Sequence, residues 1–321
     1  MTQTAARAFP PRRFTATRIS QAIDGEVRAP GGSGTVEGVH RHAVNIRWRT
    51  GLLTVAHESM GGLPNGIAVD PPIALDQIGI VPGVRVESDG ATLRVPAASV
   101  AVLLVGAASW SPTMPVLRGL AAGTRIERAE LALALAADQA PRVGLGPLTA
   151  GLAGHRASIG SLGRAAARSL AEVLEALWHG RLERAASAAS PLIGLGPGAT
   201  PSGDDLLVGL AAGLAVTDHP LAGAFAAGVA RDAAGLTTSV AESYLHHAGG
   251  LEFSERVQTA ALAILTGPEA ELRDAVSAAL AWGATSGVDL LVGLLVGIQA
   301  GVAPRLGERL RACAGDGEVA A

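Results

Sequence analysis

Lysine is absent from this chain: all 25 of its basic residues are arginine. That absence excludes a lysine Schiff base, a lysine general base and the lysine of a standard P-loop, because each chemistry needs the ε-amine itself. An anion must then be held by arginine, by main-chain N–H groups or through a metal. Cysteine is nearly as scarce. The single Cys313, close to a GDGEVAA tail, argues against a disulfide framework or a thiolate zinc cluster, and a reducing cytoplasm is the expected compartment. Aromatics make up only 3% of residues although 49% are hydrophobic, so the core has to be built from Ala, Val and Leu, with 42 glycines letting backbones approach closely. Lys/Arg-rich blocks are missing and the net charge is -3, which leaves no general or local reason to bind nucleic acid or an anionic membrane. Long apolar runs are missing too. Leu206 to Val216 and Leu290 to Ala300 reach about half of the ~20 residues a membrane span needs and begin beside aspartates, so both read as buried core helices. The opening MTQTAARAFPPRRF lacks the apolar stretch of a secretory signal and reads as a flexible lead-in.

What is present divides the 321 residues in two. From about Val36 to Val105, AVNIRW (43–48), GLLTVA (51–56), GVRVES (83–88) and ATLRVP (91–96) alternate or are β-branched, and RTG and SDG supply turns, so 43–56 and 83–96 read as hairpins. Ala98 to Val105 is a candidate last strand. Short strands need closure or a covering layer, which predicts a small β-barrel or sandwich. Beyond SWSPTMP (109–115), segments 117–140, 160–178, 204–216, 220–234, 254–265, 268–282 and 288–302 have helical length and spacing. The expected fold class is α+β: lead-in 1–35, β-rich domain 36–113, α-helical domain 114–310 and tail 311–321.

The helical part contains an echo. SGDDLLVGLAAG (202–213) and SGVDLLVGLLVG (286–297) agree at nine of twelve positions, eighty-four residues apart. A weaker echo, GLGP at 144–147 and 194–197, carries no argument alone. In the bland reading, Ser202 or Ser286 caps its own helix with Asp205 or Asp289 reaching back, or Thr200 caps with Pro201 in the first turn. Capping does not explain Gly194, Gly196, Gly198 and Gly203 in ten residues, nor the second carboxylate, Asp204. A backbone curling round a ligand explains the glycines. The G-x-x-x-x-G spacing is that of a P-loop, but Asp-Asp stands where Lys-Ser/Thr would be, which reverses the charge facing a nucleotide. If the two helix starts meet, Asp204, Asp205 and Asp289 form the candidate catalytic group, and three carboxylates there need a proton, an arginine or a metal such as Mg²⁺ between them. The candidate ligand-binding set is Gly196, Gly198, Thr200, Ser202, Gly203, Thr285, Ser286 and Gly287. Asn65, most simply a turn residue in the Leu63 to Ile67 loop, joins it if that loop reaches a site between domains. His246 and His247 point to different faces of a probable helix, and His40 and His42 share a strand face without a third ligand, so neither pair makes a convincing metal site.

G-L-G-P-G-x-T-P-S-G-D-D before an apolar helix, then TTSVAESYLHHA (237–248) and GATSGVDLLVGLLVG (283–297), together resemble a bacterial family whose characterised branch is the AllH-type subunit of oxamate carbamoyltransferase. The segment VHRHAVNIRWRTGLLTVA with its following G-G-L-P-N-G-I loop is similar to the N-terminal part of that family. The resemblance implies one subunit of a multi-protein enzyme in purine (allantoin) catabolism, working with an acyl-CoA-synthetase-like partner and a further subunit. It also implies transfer of a carbamoyl group between carbamoyl phosphate and the nitrogen of oxamate, with oxalurate and phosphate on the other side. The rivals are a scaffold subunit in which the motif only caps, and a divalent-metal-dependent enzyme acting on another small carboxylate or amide.

Overall fold

The computed structural model describes residues 12–315. Two compact units divide between Pro112 and Thr113, and each has its own apolar core.

The first unit is a closed barrel. Its strands are β1 (Arg12–Ser20), β2 (Gly32–Val39), β3 (Ala43–Trp48), β4 (Gly51–His57), β5 (Gly66–Val69), β6 (Arg85–Ser88), β7 (Thr92–Val95), β8 (Val100–Leu103) and β9 (Ala108–Trp110), with helix α1 (Gln21–Val27) after β1. Eight strands follow the order β5-β4-β3-β2-β6-β7-β8-β1, and β1 pairs with β5 to close the ring. Closure removes the free edges that short strands would otherwise expose. The expected hairpins are present: Ala43 faces Ala56 and Trp48 faces Gly51 across β3–β4, while Glu87 faces Arg94 across β6–β7.

The expected lead-in is corrected here. Residues 12–35 form β1, α1 and the start of β2, and residues 1–11 lie outside the described region. The strand character of β1 comes from its neighbours: Arg12 to Thr15 pair with β8, Arg18 to Ser20 with β9, and Ala16, Arg18 and Ile19 with β5. Only the folded barrel supplies those partners, and the local pattern RRFTATRIS is too polar to announce them. Ser20 then accepts a hydrogen bond from the Ala22 N–H and starts α1, whose Ile23 and Val27 join the barrel core.

The second unit is helical: α2 (Ala122–Gln139), α3 (Gly146–Leu152), α4 (Ser161–Trp178), α5 (Leu182–Ala189), α6 (Ser202–Val216), α7 (Ala222–Asp232), α8 (Ser239–Gly249), α9 (Glu255–Thr266), α10 (Glu269–Leu280), α11 (Ser286–Gln299) and α12 (Pro304–Ala314). The tail expected from 311 also needs correction, since α12 runs to Ala314 and stops at Gly315, whose φ of 82° is the left-handed cap glycine supplies at little cost. α6 is buried on all sides and so is α11 from Gly287 onward, as apolar residues around the whole circumference require. Among the described residues no helix is long and apolar enough to cross a membrane.

The central pair packs backbone to backbone. A Cβ on Gly209 would lie 2.0 Å from the Leu290 carbonyl oxygen, and one on Gly293 would lie 2.0 Å from that of Leu206. One turn further, Gly213 meets Leu294 O and Gly297 meets Leu210 O, both at 2.4 Å. These contacts climb both helices in the same direction. α6 and α11 therefore run parallel, in the register of the sequence echo, related by a local twofold axis between them. Arg125 on α2, itself buried, donates to the carbonyls of Ile298 and Ala300 and so closes the C-terminal end of α11.

Candidate functional site

Parallel packing places the starts of α6 and α11 side by side, with Thr200 Oγ1 and Ser286 Oγ 2.8 Å apart. Neither helix is capped by a side chain. Pro201 and Thr285 occupy the cap positions without a side-chain cap bond, so the capping reading of the Ser and Asp residues does not hold.

The three carboxylates differ. Asp204 has both oxygens occupied: Oδ1 accepts from the Gly194 N–H at 3.0 Å and Oδ2 from the Thr237 hydroxyl at 2.5 Å. It ties the glycine loop and the start of α8 to α6. Asp289 is fully buried, and its Oδ1 accepts from the Leu145 N–H at 2.6 Å, while its Oδ2 has no partner. Asp205, 6% exposed, likewise keeps a buried Oδ2 without a partner. Burial disfavours the ionised form of all three and raises their pKa values. For Asp205 burial is strong enough to reach about 7, against the Ser286 and Thr200 hydroxyls, which favour the ion, and with added repulsion from Asp289 and Asp204. For Asp204 the opposing influences are Thr237 and the Gly194 N–H; for Asp289 they are Ser202, the Leu145 N–H and Thr285. The serines act crosswise, Ser286 of α11 on Asp205 of α6 and Ser202 of α6 on Asp289 of α11, which is the twofold relation again at the level of side chains.

The glycines sort by duty. Gly203 and Gly287 are required by packing, since a Cβ would lie 2.0 Å from Leu192 O and 1.8 Å from Ala279 O, and their N–H groups are already given to Leu195 O and Trp282 O. Gly196 and Gly198 have φ of 111° and 106°, values that side chains rarely tolerate. The main-chain N–H groups of Gly196, Gly198, Ala199 and Thr200 make no hydrogen bond among the described residues. Pro197, Gly198 and Ala199 are exposed, and Ser202, Asp204 and Asp205 just behind them are buried. The loop is an array of free donors at the positive ends of two helix dipoles, beside carboxylates short of a donor.

Asn65 belongs to the barrel unit, where its buried amide donates to Leu52 O at 3.0 Å and Thr54 Oγ1 at 3.2 Å, bracing β4. His40 and His42 sit in the turn between β2 and β3, not on a strand. His247 Nδ1 is 2.7 Å from Glu252 Oε2. No group of three His, Cys, Asp or Glu side chains is arranged to hold a metal ion among the described residues. Thr237 and Tyr244 lie within the segment TTSVAESYLHHA and Gly144 within the GLGP echo, but the sequence reading names none of the three as a site residue. The GLGP echo was the one available signal for Gly144, since each copy places a backbone N–H on a carboxylate, Gly194 on Asp204 and Leu145 on Asp289. Tyr244 is pushed up to about 12 by burial and by the charge of Asp205, against Arg256.

The fold and this site define a class of α+β chain: a closed barrel, followed in sequence by a helical unit built on twinned Ser/Gly/Asp helix starts. The chain belongs to the family of the oxamate carbamoyltransferase subunit AllH, whose model matches residues 192–298, and the AllH family N-terminal domain matches residues 15–109. The first match begins just before the glycine loop and ends within α11. The second begins inside β1. No curated protein and no solved structure matches the chain.

Proposed function

We propose that this chain is the substrate-holding subunit of an oxamate carbamoyltransferase of purine (allantoin) catabolism, with its small-anion site at 194–205 and 285–289. One observation carries the reading: four unbonded N–H groups on the glycine loop adjoin two buried carboxylates that each keep an unpartnered oxygen. The free amides suit phosphate or carboxylate oxygens. Asp205, near neutrality in its pKa, suits a base. In the forward direction the oxamate nitrogen attacks the carbamoyl carbon, the bond from that carbon to the phosphate oxygen breaks, and phosphate leaves with the electron pair. Asp205 takes the proton the nitrogen loses. Thr200, Ser202, Thr285 and Ser286 orient the oxygens, and Asp204 holds the loop that presents the amides.

The test uses the full chain assembled with its partner subunits. Asp205→Asn lowers kcat by about 100-fold or more, the usual range for loss of a general base, while subunit assembly and the broadening of the phosphate ³¹P signal by the chain persist. The kcat of the unsubstituted enzyme falls as pH drops through about 7, where Asp205 takes up its proton. Full activity in the variant, with no phosphate bound by the unsubstituted chain, would return the motif to a scaffold's helix start. Activity abolished by a chelator and restored by Mg²⁺ would instead favour metal-dependent chemistry.

A further inference from the structure

We infer that Thr238 is a positioning residue for the glycine loop: from the start of α8 its hydroxyl holds the Ala199 carbonyl, and so fixes the direction in which the Thr200 N–H is presented to a bound anion. The use given to that N–H rests on the anion site proposed above; the fixing of the loop does not.

Thr238 Oγ1 donates to Ala199 O and accepts from the Ala241 N–H at 3.2 Å, so one hydroxyl caps α8 and grips the loop at the same time. The peptide unit from Ala199 to Thr200 is trans and planar, which sets its C=O and its N–H on opposite sides. With the oxygen held toward α8, the Thr200 N–H faces away from it. That N–H is one of the four loop amides without a hydrogen bond among the described residues. Thr200 Oγ1 lies 2.8 Å from Ser286 Oγ, so Thr200 is held both at the peptide before it and at its side chain.

The grip is as firm as the segment that applies it, and 235–238 is well anchored. The Gly235 N–H donates to Glu242 Oε2 at 3.3 Å, the Leu236 N–H to Ala233 O at 3.0 Å, and the Glu242 N–H to Thr238 O at 2.8 Å. Thr237 donates to Asp204, which in turn accepts from the Gly194 N–H. Adjacent threonines at one helix start therefore hold the loop near both of its ends, at Gly194 and at Ala199. Between those points Pro197, Gly198 and Ala199 are exposed, and Gly198 by itself allows many backbone directions. A loop already fixed loses less freedom when a ligand binds, which strengthens its hold on that ligand.

The twin half is built differently. Val288 stands on α11 where the echo has Asp204 on α6, which removes the carboxylate that Thr237 holds. Gly144, at a φ of 55°, packs so close to Asp289 that a Cβ on it would be 2.6 Å from Oδ1 and 2.9 Å from Oδ2. Presentation of loop amides therefore falls to the α6 half, where the buried Asp205 Oδ2 keeps no partner.

The experiment compares the full unsubstituted chain with Thr238→Val, Thr238→Gly and Thr238→Ser, first ligand-free and then with inorganic phosphate. Glycine replaces a capping threonine at little cost, so Thr238→Gly removes the grip while α8 stays nearly as stable. In ¹⁵N relaxation of the ligand-free chain, the order parameter of the Thr200 amide falls from about 0.85 to below about 0.6 in the valine and glycine variants and recovers in Thr238→Ser. Phosphate, followed by its ³¹P line width, binds both hydroxyl-free variants about tenfold more weakly, the scale of one hydrogen bond, and recovers in Thr238→Ser. A Thr200 amide that stays rigid without the hydroxyl, or phosphate binding that neither variant weakens, overturns the positioning role. If Thr238→Val fails to fold, Thr238→Gly and Thr238→Ser make the same comparison. Absence of phosphate binding by the unsubstituted chain ends the proposed function, and the relaxation data still decide whether Thr238 fixes the loop.

Discussion

The Thr237 hydroxyl and the Gly194 N–H occupy both oxygens of Asp204, and no such completeness exists at Asp205 next to it. The two neighbours should therefore respond oppositely to the same change. Asp204→Asn offers one acceptor oxygen where the carboxylate offered two to the Gly194 N–H and the Thr237 hydroxyl, and loses the charge that strengthens both bonds, so it should destabilise the fold by about 1–3 kcal/mol. Asp205 has a raised pKa in the folded state, from 3.8 to about 7, so the native chain keeps a proton that the unfolded chain has lost between those values. Its contribution to stability is fully present below about pH 4 and is lost as pH rises through about 7, a swing of up to roughly 4 kcal/mol. Asp205→Asn, neutral at every pH, should then unfold at a higher temperature than the unsubstituted chain at pH 8 and at much the same temperature near pH 4. Thermal unfolding of both variants at the two pH values checks the signs, and a lower melting temperature for Asp205→Asn at pH 8 would show that its ion is well satisfied.

The pairing of α6 with α11 depends on four glycines in two symmetric sets. At Gly209 and Gly293 an added Cβ would be 2.0 Å from a carbonyl oxygen on the facing helix, a distance only backbone movement can relieve. Gly209→Ala and Gly293→Ala are expected to cost about 3 kcal/mol each, at the upper end of ordinary overpacking. The two costs should agree closely, because the local twofold makes the sites equivalent. Urea denaturation measures both. A difference of several kcal/mol between them would mean that the helices are not related as the glycine contacts imply. Separation of the helices would also part Thr200 from Ser286, so these variants should weaken phosphate binding even where the fold survives.

On the scale of the whole chain, the apolar clusters are separate: every buried member of one lies between Ala16 and Leu104, and every buried member of the other lies between Met114 and Ala314. Each unit is of a size that folds alone in other proteins. The fragment ending at Pro112 is expected to give the dispersed amide spectrum of a folded β protein without the helical unit, read by ¹⁵N correlation NMR. A collapsed spectrum would show that the barrel needs the rest of the chain. Membership of the AllH family spans both units, since its two matched segments fall one in each.

The sequence by itself determined the local elements with strong periodicity, the two-part division, the α+β class and the echo of Ser-Gly-x-Asp helices, because alternation, helical spacing and repeated glycines are carried by neighbouring residues. The resemblance to the AllH family was legible for the same reason. β1 and the last turn of α12 were not, since one draws its strand character from partners at 67–69, 100–103 and 108–110 and the other lies where the pattern thins into the tail. Only the tertiary structure decided that the echoed helices run parallel, that Asp204 is spent while Asp205 and Asp289 are not, and that Gly144 closes over Asp289. Those facts depend on which atoms meet across separations from 10 residues, Gly194 to Asp204, to 144, Leu145 to Asp289, and a carboxylate's partners are fixed by distance in space, a quantity that spacing along the chain does not contain.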